Sequence, residues 1–423
     1  MEGTGAAQAD QRPEPLTRHG IPRDPNLRVL ALSTFVNRAG SGMVTTTFAI
    51  YFTRVVGLRT TEVGLALSVA AFAAMVGQIP LGHLGDQRGP RETTRLLLVA
   101  SGVALLGLLV VHNAVALTLV LATATTFNAG ASAVRNGYVA RIATGGRGVA
   151  FKAYLRAVTN VAMGFGALVG GLTLWLDATW AYLAVLAVDG LSSIAAGLLT
   201  GKLPHLAPTP SAAGEPRLAV LRDRPYVLVT LLTGLVAMHF VVMDVGVALW
   251  VSQRTSAPTW VVAAVLLLNT TCVALFQVRL ARGSDDVRTS ARSMLVGSLW
   301  IAAGFAVIAL SGAVGARAAA ALLLGGAAVH VVGEMISSGG QWGVSMGLAP
   351  MERQGQYQGF ASFGFSLSGV IAPTLITFLC IEWGWPGWYV MGGIVVAAAA
   401  ALGPVSRWAL ATRDRYGAAS ATG

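Results

Sequence analysis

The sequence has little charge and few cysteines for a chain of 423 residues. Only 11% of its residues are Asp, Glu, Lys or Arg, whereas 55% are hydrophobic and the mean hydropathy is +0.67. This composition excludes a soluble multidomain protein of the same length. The two cysteines, Cys272 and Cys380, both lie in apolar runs, so we expect neither a disulfide framework nor a metal site.

Apolar runs of about 20 residues recur along almost the whole chain, and each is long enough to cross a hydrocarbon core of roughly 30 Å. The sequence therefore predicts an all-α membrane protein with twelve transmembrane helices. The predicted helices are 27–53, 62–82, 93–112, 115–142, 151–176, 178–201, 225–252, 258–281, 292–312, 316–347, 355–381 and 385–410.

The longest polar break lies between the sixth and seventh predicted helices, where four prolines interrupt a stretch of small residues. It divides the chain into two six-helix bundles with polar ends. We expect a disordered cytoplasmic tail over 1–26, an N-terminal bundle over 27–201, a cytoplasmic linker over 202–224, a C-terminal bundle over 225–410 and a cytoplasmic tail over 411–423.

The net charge of +11 is concentrated in short loops, so it indicates membrane topology and not nucleic-acid binding. Most basic residues fall on one side of the predicted helices, among them Arg88, Arg147 and Arg353, and few fall on the other, among them Arg59 and Arg317. The sequence predicts a multi-pass protein of the cell (plasma or inner) membrane, with both termini and the linker in the cytoplasm.

The two bundles show a weak internal repeat. A shift of 199 positions places Asp86 on Asp285, and a shift of 206 places Asn128 on Glu334. We therefore expect the bundles to be pseudo-symmetric, with a binding site near mid-membrane where they meet.

A polar motif, Gly-x-Leu-Gly-Asp-x-Arg-Gly-x-Arg, separates the second and third predicted helices. Its charges, glycines and proline cannot continue a bilayer helix, so residues 82–95 are predicted to form a tight polar turn at the membrane face. A positively charged loop that merely fixes topology is the alternative.

This motif resembles the loop signature of the major facilitator superfamily. The resemblance implies a carrier that works by alternating access, in which the glycines let two helices cross closely. It also implies that Asp86 faces the start of the eleventh helix and that the basic residues hold the cytoplasmic face closed. The residues implied for this gate are Gly82, Gly85, Asp86, Arg88, Gly89 and Arg91.

Ionisable side chains inside the predicted helices are candidates for transport, because a charge at mid-bilayer costs at least about 2.5–3.5 kcal/mol. Glu334, Arg38, Asp244 and Arg135 are our candidates for proton coupling or substrate binding, with fixed ion pairs or solvated positions as the alternatives. Asp189 lies in a supporting helix, where we favour a structural hydrogen-bonding role.

The triplet Gly333-Glu334-Met335 resembles the tenth helix of the drug–proton antiporter branch of that superfamily. Residues 164–171 also resemble an antiporter signature, although Ala167 stands where proline is usual. The implied function is proton-coupled efflux of a hydrophobic or amphiphilic small molecule. Glu334 would bind and release the proton, while Arg38 would bias its protonation or contact the substrate.

Further polar side chains are candidates for lining the cavity, namely Asn37, Asn128, Gln277, Gln341 and Trp342. The expected partners are a small-molecule substrate, protons and the lipid bilayer. We expect a monomer. No nucleotide-binding loop or nucleophile–base pair is visible in the sequence, so we expect no cofactor and no enzyme activity. Uptake or exchange of an anionic metabolite, or a membrane sensor without transport, are the alternative functions.

Overall fold

The computed structural model describes residue 22 and residues 24–143, 146–209 and 218–413. Within these ranges the chain is helical, with twelve long helices in succession. Much of both predicted tails and the middle of the predicted linker lie outside the described residues.

Several helices are extended by short turns of tighter or wider winding, and the bounds below include them. They are α1 Pro25–Ile50 with the π-helical turn Tyr51–Val55, α2 Thr60–Arg88, α3 Pro90–Val110, α4 Ala114–Ile142, α5 Gly146–Leu176, α6 Thr179–Thr200, α7 Arg224–Arg254, α8 Trp260–Leu280, α9 Val287–Ala313, α10 Ala316–Leu348, α11 Met351–Glu382 and α12 Trp385–Ala411.

Eleven of these helices, α2 to α12, are long and apolar enough to cross a membrane. The first, α1, is also long enough but more polar, since it carries Ser33, Thr34, Asn37 and Arg38 in its middle. Three of these four side chains are buried against neighbouring helices.

The two halves pack their helices in the same pattern. In the first half α1 contacts α5 and α6, α2 contacts α4, and α3 contacts α4 and α6. In the second half α7 contacts α11 and α12, α8 contacts α10, and α9 contacts α10 and α12, which is the same set moved by six helices. The predicted arrangement of two pseudo-symmetric six-helix bundles is therefore confirmed.

The halves meet mainly where α2 and α4 pack on α11 and where α5 packs on α8. We call the end of the bundle at which α1 begins and α12 ends the terminal face, and the other end the opposite face. Near the terminal face the helices touch through their backbones: a Cβ on Gly82 would lie 2.3 Å from the Gly355 carbonyl oxygen. Glycine is needed at such a crossing because a methyl group would force the helices apart.

The predicted tight turn over 82–95 is wrong. Helix α2 continues through Arg88, only Gly89 leaves the helical conformation, with φ 95°, and α3 begins at Pro90. The polar residues extend α2 at the terminal face, where charges need not enter hydrocarbon. A positive φ at Gly89 turns the chain in one residue, and proline suits the first position of a helix.

Two other helix starts differ from prediction. Helix α5 begins at Gly146 instead of 151, and α9 begins at Val287 instead of 292. The Asp286 side chain caps α9 by accepting hydrogen bonds from the N–H groups of Arg288 and Thr289. Each helix therefore starts with a polar turn that a hydropathy pattern does not detect.

Candidate functional site

Asp86 joins the two halves at the terminal face. Its two carboxylate oxygens accept hydrogen bonds from the N–H groups of Gly355 and Gln356, each at 2.8 Å. These N–H groups lie at the start of the long helical part of α11, where they have no partner within the helix. The contact that the family resemblance implied, Asp86 against the start of the eleventh helix, is present.

The remaining residues of the motif do not all reach the second half. Gly85 packs on Val134 of α4, within the first half. Arg91 donates to Glu92 at 2.8 Å and to the Leu203 carbonyl at 3.0 Å, and Arg88 is exposed. Within the motif, Asp86 and Gly82 thus make the contact between the halves. Arg91 connects α3 to the chain after α6.

The described start of the linker lies across this contact. The N–H of Thr209 donates to the Asp86 carbonyl at 2.7 Å, and its hydroxyl donates to the Glu352 carbonyl at 2.5 Å. Arg141 and Tyr138 hold the preceding residues through the carbonyls of Ala207 and Pro204. The halves and the linker together close the bundle at the terminal face.

The centre of the site is an ion pair between the halves. Glu334, near the middle of α10, is 2% exposed, and its Oε1 accepts a hydrogen bond from Arg156 of α5 at 2.5 Å. The other carboxylate oxygen accepts from the Asn269 side chain at 2.8 Å. Arg156 also donates to the Ser338 hydroxyl at 3.3 Å, so both partners are held on several sides.

An aromatic ring also contacts the ion pair between Arg156 and Glu334. The Arg156 guanidinium lies 4.6 Å from the centre of the Phe240 ring, a cation–π contact with α7. Removing Arg156 would leave the buried Glu334 carboxylate without its opposite charge, which is destabilising. A change in the charge of Glu334 would therefore alter the contact between α5 and α10.

Arg156, the partner of Glu334, is the residue of this candidate site that sequence reasoning missed. With α5 predicted to begin at 151, Arg156 would lie near the membrane face, where a long basic side chain reaches water. The actual start at Gly146 moves Arg156 more than a turn deeper along the helix. The basic residues Arg147 and Lys152 on the same helix were the available signal that the helix starts earlier.

Two buried histidines adjoin Glu334. His239 Nδ1 lies 3.2 Å from His330 Nε2, and His330 Nδ1 lies 3.8 Å from the Glu334 carboxylate. Candidate ligand atoms of the three residues lie within 4.8 Å of one another. Both oxygens of Glu334 already accept hydrogen bonds from Arg156 and Asn269, so we assign no metal to this triplet.

Arg38 and Arg135 lie in the first half, away from Glu334. Arg135 donates to the Thr34 hydroxyl of α1 at 3.4 Å, and the Nε atoms of both arginines are buried without a hydrogen-bond partner. Asp189 is buried on α6, accepts a hydrogen bond from Ser41 at 3.4 Å, and attracts Arg38. A structural role for Asp189 stays a prediction, as do the roles of both arginines.

Asp244 lies in a π-helical turn of α7 and is exposed, with the charges of Arg156 and Glu334 close enough to act on it. Asn37 is buried in α1, whereas Asn128 and Gln341 are partly exposed. Gln277 is fully buried and donates to the Met335 carbonyl. The residues predicted to line the cavity therefore differ in burial.

Trp342 packs where α5 meets α8 and α10 near the terminal face, beside Val149, Ala153 and Ala281. Asn269, which the sequence did not single out for this role, supplies the second hydrogen bond to Glu334. The side chains described in contact across the halves belong to α2 and α5 of the first half and to α7, α8, α10 and α11 of the second.

Two matched helical bundles with ionisable groups where they meet define the class of membrane carriers whose site lies between repeats. The chain belongs to the major facilitator superfamily, whose family model matches residues 30–333. It is therefore a secondary transporter and a multi-pass membrane protein, and the family is not enzymatic. No curated protein sequence matches the chain.

Solved structures show the same fold. A bacterial homologue of the iron transporter ferroportin, in an outward-facing state, has a TM-score of 0.68 and 14% identity, over 91% of this chain and 99% of that chain. The proton:xylose symporter XylE has a TM-score of 0.65 and 14% identity, over 89% and 94%. The human organic anion transporter MFSD10 has a TM-score of 0.62 and 14% identity, over 90% and 100%.

Proposed function

We propose that the protein is a proton-coupled exporter of a hydrophobic or amphiphilic small molecule, with Glu334 as the group that binds the coupling proton. The observation that carries the proposal is the Arg156–Glu334 ion pair, which joins the two halves at a buried position. Protonation of Glu334 would remove the charge that holds Arg156. The halves could then move apart at the terminal face as they close at the opposite face.

The gate at the terminal face would respond to the same movement. Asp86 and Gly82 of α2 would separate from the start of α11, and the N–H groups of Gly355 and Gln356 would be released. If the basic loops lie in the cytoplasm, as the charge distribution indicates, this structure represents the form closed to the cytoplasm. Release of the substrate to the outside would then be followed by return with a proton on Glu334.

Export is supported by the resemblance of residues 333–353 to the tenth helix of drug–proton antiporters. The second candidate, uptake or exchange of an anionic metabolite, is supported by the basic side chains of Arg38, Arg135 and Lys152 in the first half. The two candidates predict opposite directions of net flow for the same proton gradient.

The test uses the full-length protein in proteoliposomes with an imposed pH gradient and a panel of fluorescent amphiphilic dyes, among them rhodamine 6G and fluorescein. We expect proton-driven dye movement in the wild type and at least a tenfold loss in Glu334→Gln. Exchange of dye at equal pH should survive the substitution, because it needs no net proton movement. Glu382→Gln, an exposed acid at the opposite face, is the control.

Undiminished proton-driven flux in Glu334→Gln would remove this carboxyl from the mechanism. An Arg156→Gln variant tests the pair from the other side and should also lose the pH dependence of flux. The direction of dye movement relative to the proton gradient decides between export and uptake.

A further inference from the structure

The first half holds more positive charge among its helices than its acids compensate. Four basic side chains extend from α1, α4 and α5, namely Arg38, Arg135, Lys152 and Arg156. Glu334 pairs with Arg156, and Asp189 attracts Arg38. The positive charge of Arg38 acts on Arg135, and that of Arg135 acts on Lys152, and both effects are repulsive.

Hydrogen bonds do not make up for this repulsion. Arg135 has a long contact of 3.4 Å to the Thr34 hydroxyl, and Lys152 donates to the Gln358 side chain at 3.2 Å. The Nε atoms of Arg38 and Arg135 are buried and have no partner. Taking an ion out of water is unfavourable unless opposite charge and hydrogen bonds offset the lost hydration. A bound anion would offset this unfavourable concentration of positive charge.

We propose that Arg38, Arg135 and Lys152, here called the cation cluster, bind an acidic group of the transported molecule, a carboxylate or a phosphate. The assignment rests on the proposed function in one respect, that a small molecule is carried between the halves. Guanidinium groups offer paired donors to both kinds of acid, and the ammonium of a lysine adds a point charge. The substrate would thus be an amphiphile with an acidic head.

The position of the cluster links binding to the movement of the halves. Lys152 contacts Gln358 of α11, so it belongs to the interface that closes the terminal face. Gln358 lies one turn beyond Gly355, which carries the contact with Asp86. An anion that drew Lys152 toward Arg135 would weaken one contact between α5 and α11. Binding of the acidic group would therefore favour opening at the terminal face.

The test measures binding of matched eight-carbon ligands to the full-length protein in nanodiscs by titration calorimetry. The ligands are octanoate, octyl phosphate, octylamine and octanol, which share a tail and differ in the head group. We expect octanoate or octyl phosphate to bind at least tenfold more tightly than the amine and the alcohol. The better of the two acids identifies the head group.

Variants then place the site. Arg135→Gln should reduce the preference for the acid at least tenfold, and Lys152→Gln gives a second reading should Arg135→Gln fail to elute as a folded protein. Arg135→Lys keeps the charge and should retain most of the preference. Arg292→Gln removes an exposed arginine from α9 in the other half and should change nothing.

Equal binding of all four ligands, or an acid preference that survives both Arg135→Gln and Lys152→Gln, would overturn the assignment. The Glu334→Gln variant distinguishes a failure of this assignment from a failure of the proposed function. Retained acid binding with lost proton-driven flux in that variant supports both. If no variant loses the acid preference while flux is still coupled to protons through Glu334, the assignment to the cation cluster is rejected. The proposal of a proton-coupled carrier is then retained.

Discussion

A single carboxylate, that of Asp86, accepts two backbone hydrogen bonds from the opposite half of the molecule. Hydrogen bonds to a charged group contribute about 1.5–3 kcal/mol each, more than neutral ones. The side chain is buried, so water does not compete well for these donors. Asp86 therefore stabilises the form that is closed at the terminal face relative to any form in which α2 and α11 separate.

An Asp86→Asn variant should weaken the closed form. The amide can accept from one of the two N–H groups but presents its own N–H₂ to the other, and an unmet buried donor costs about 1–3 kcal/mol. The equilibrium between closed and open should shift roughly 5- to 150-fold toward open. Hydrogen–deuterium exchange of residues 351–360 would report the change as faster exchange.

Asp285→Asn is the matched control, since Asp285 is the counterpart of Asp86 in the internal repeat but is exposed. It should leave exchange at residues 351–360 unchanged. Equal protection in wild type and Asp86→Asn would show that the closed form does not depend on this carboxylate.

At the residue scale, the sequence predicted the surroundings of single residues better than it predicted which side chains pair with each other. The motif around Asp86 was sufficient to expect its contact with the eleventh helix, and the apolar surroundings of Glu334 were sufficient to expect burial. Nothing local to Arg156 or Asn269 shows that both reach Glu334, because the three residues lie on different helices. Such contacts depend on how helices are rotated, and hydropathy does not determine rotation.

At the element scale, the start of α9 illustrates how one polar residue sets a helix boundary. Asp286 accepts hydrogen bonds at 2.7 and 2.9 Å from the first N–H groups of the helix, and Thr289 donates back to it. The hydrogen bond from the Thr289 N–H, with that from Arg288, holds the pKa of the Asp286 carboxyl below its ordinary value of 3.8. This side chain lies just outside the membrane-spanning part of α9.

An Asp286→Ala variant should lower the stability of this helix start by about 1 kcal/mol. Because the folded-state pKa is depressed, the contribution of the carboxylate is present above pH 3.8 and is lost as the pH falls below that value. The difference in Tm between wild type and variant should therefore be largest near neutral pH and shrink in acid. Thermal unfolding followed by size-exclusion chromatography measures it.

Asp285→Ala, one residue earlier and exposed, should show no such pH-dependent difference. A Tm difference for Asp286→Ala that is constant with pH would mean that the cap acts through shape and not through charge.

The number and order of helices followed from hydropathy because each apolar run must satisfy its own backbone hydrogen bonds in lipid. The boundaries of α2, α5 and α9 did not follow. Each extends into polar sequence at the terminal face, where water can satisfy a helix or a loop equally well. A helix end is then decided by caps such as Asp286 and by contacts such as Asp86 with α11, which involve distant parts of the chain.

At the scale of the whole molecule, the hydrogen bonds and ion pairs described between the halves run from the terminal face to mid-membrane. They include Gln78 with Ser366, Lys152 with Gln358 and Arg156 with Glu334. A carrier that alternates must break these contacts in each cycle. Cross-linking across the halves should therefore stop transport, while cross-linking inside one half should not.

Gln78→Cys with Ser366→Cys places two thiols across the interface, where the native side chains lie 3.4 Å apart. With Cys272 and Cys380 replaced by alanine, a short bifunctional thiosulfonate should join them and reduce flux at least tenfold, reversibly on reduction. The measurement is dye flux in proteoliposomes before and after reducing agent.

Ser33→Cys with Thr200→Cys is the control within the first half, where the two hydroxyl oxygens lie 3.2 Å apart. Its cross-link should leave flux nearly unchanged, because the six helices of a half move together. Arrest by the control, or flux that survives the first cross-link, would contradict a rocking movement of two rigid bundles.

Helices α1, α7 and α11 each carry a π-helical turn toward the opposite face, at Tyr51–Val55, Val242–Gly246 and Thr377–Glu382. Such a turn holds one residue more than regular winding, so everything beyond it is rotated by about 100° relative to an uninterrupted helix. Regular winding of the same residues would turn the far ends of these helices to new neighbours, whereas deleting one residue from the turn would keep the present ones. The lengths of these three segments, and not only their side chains, thus determine which surfaces can meet when the opposite face closes.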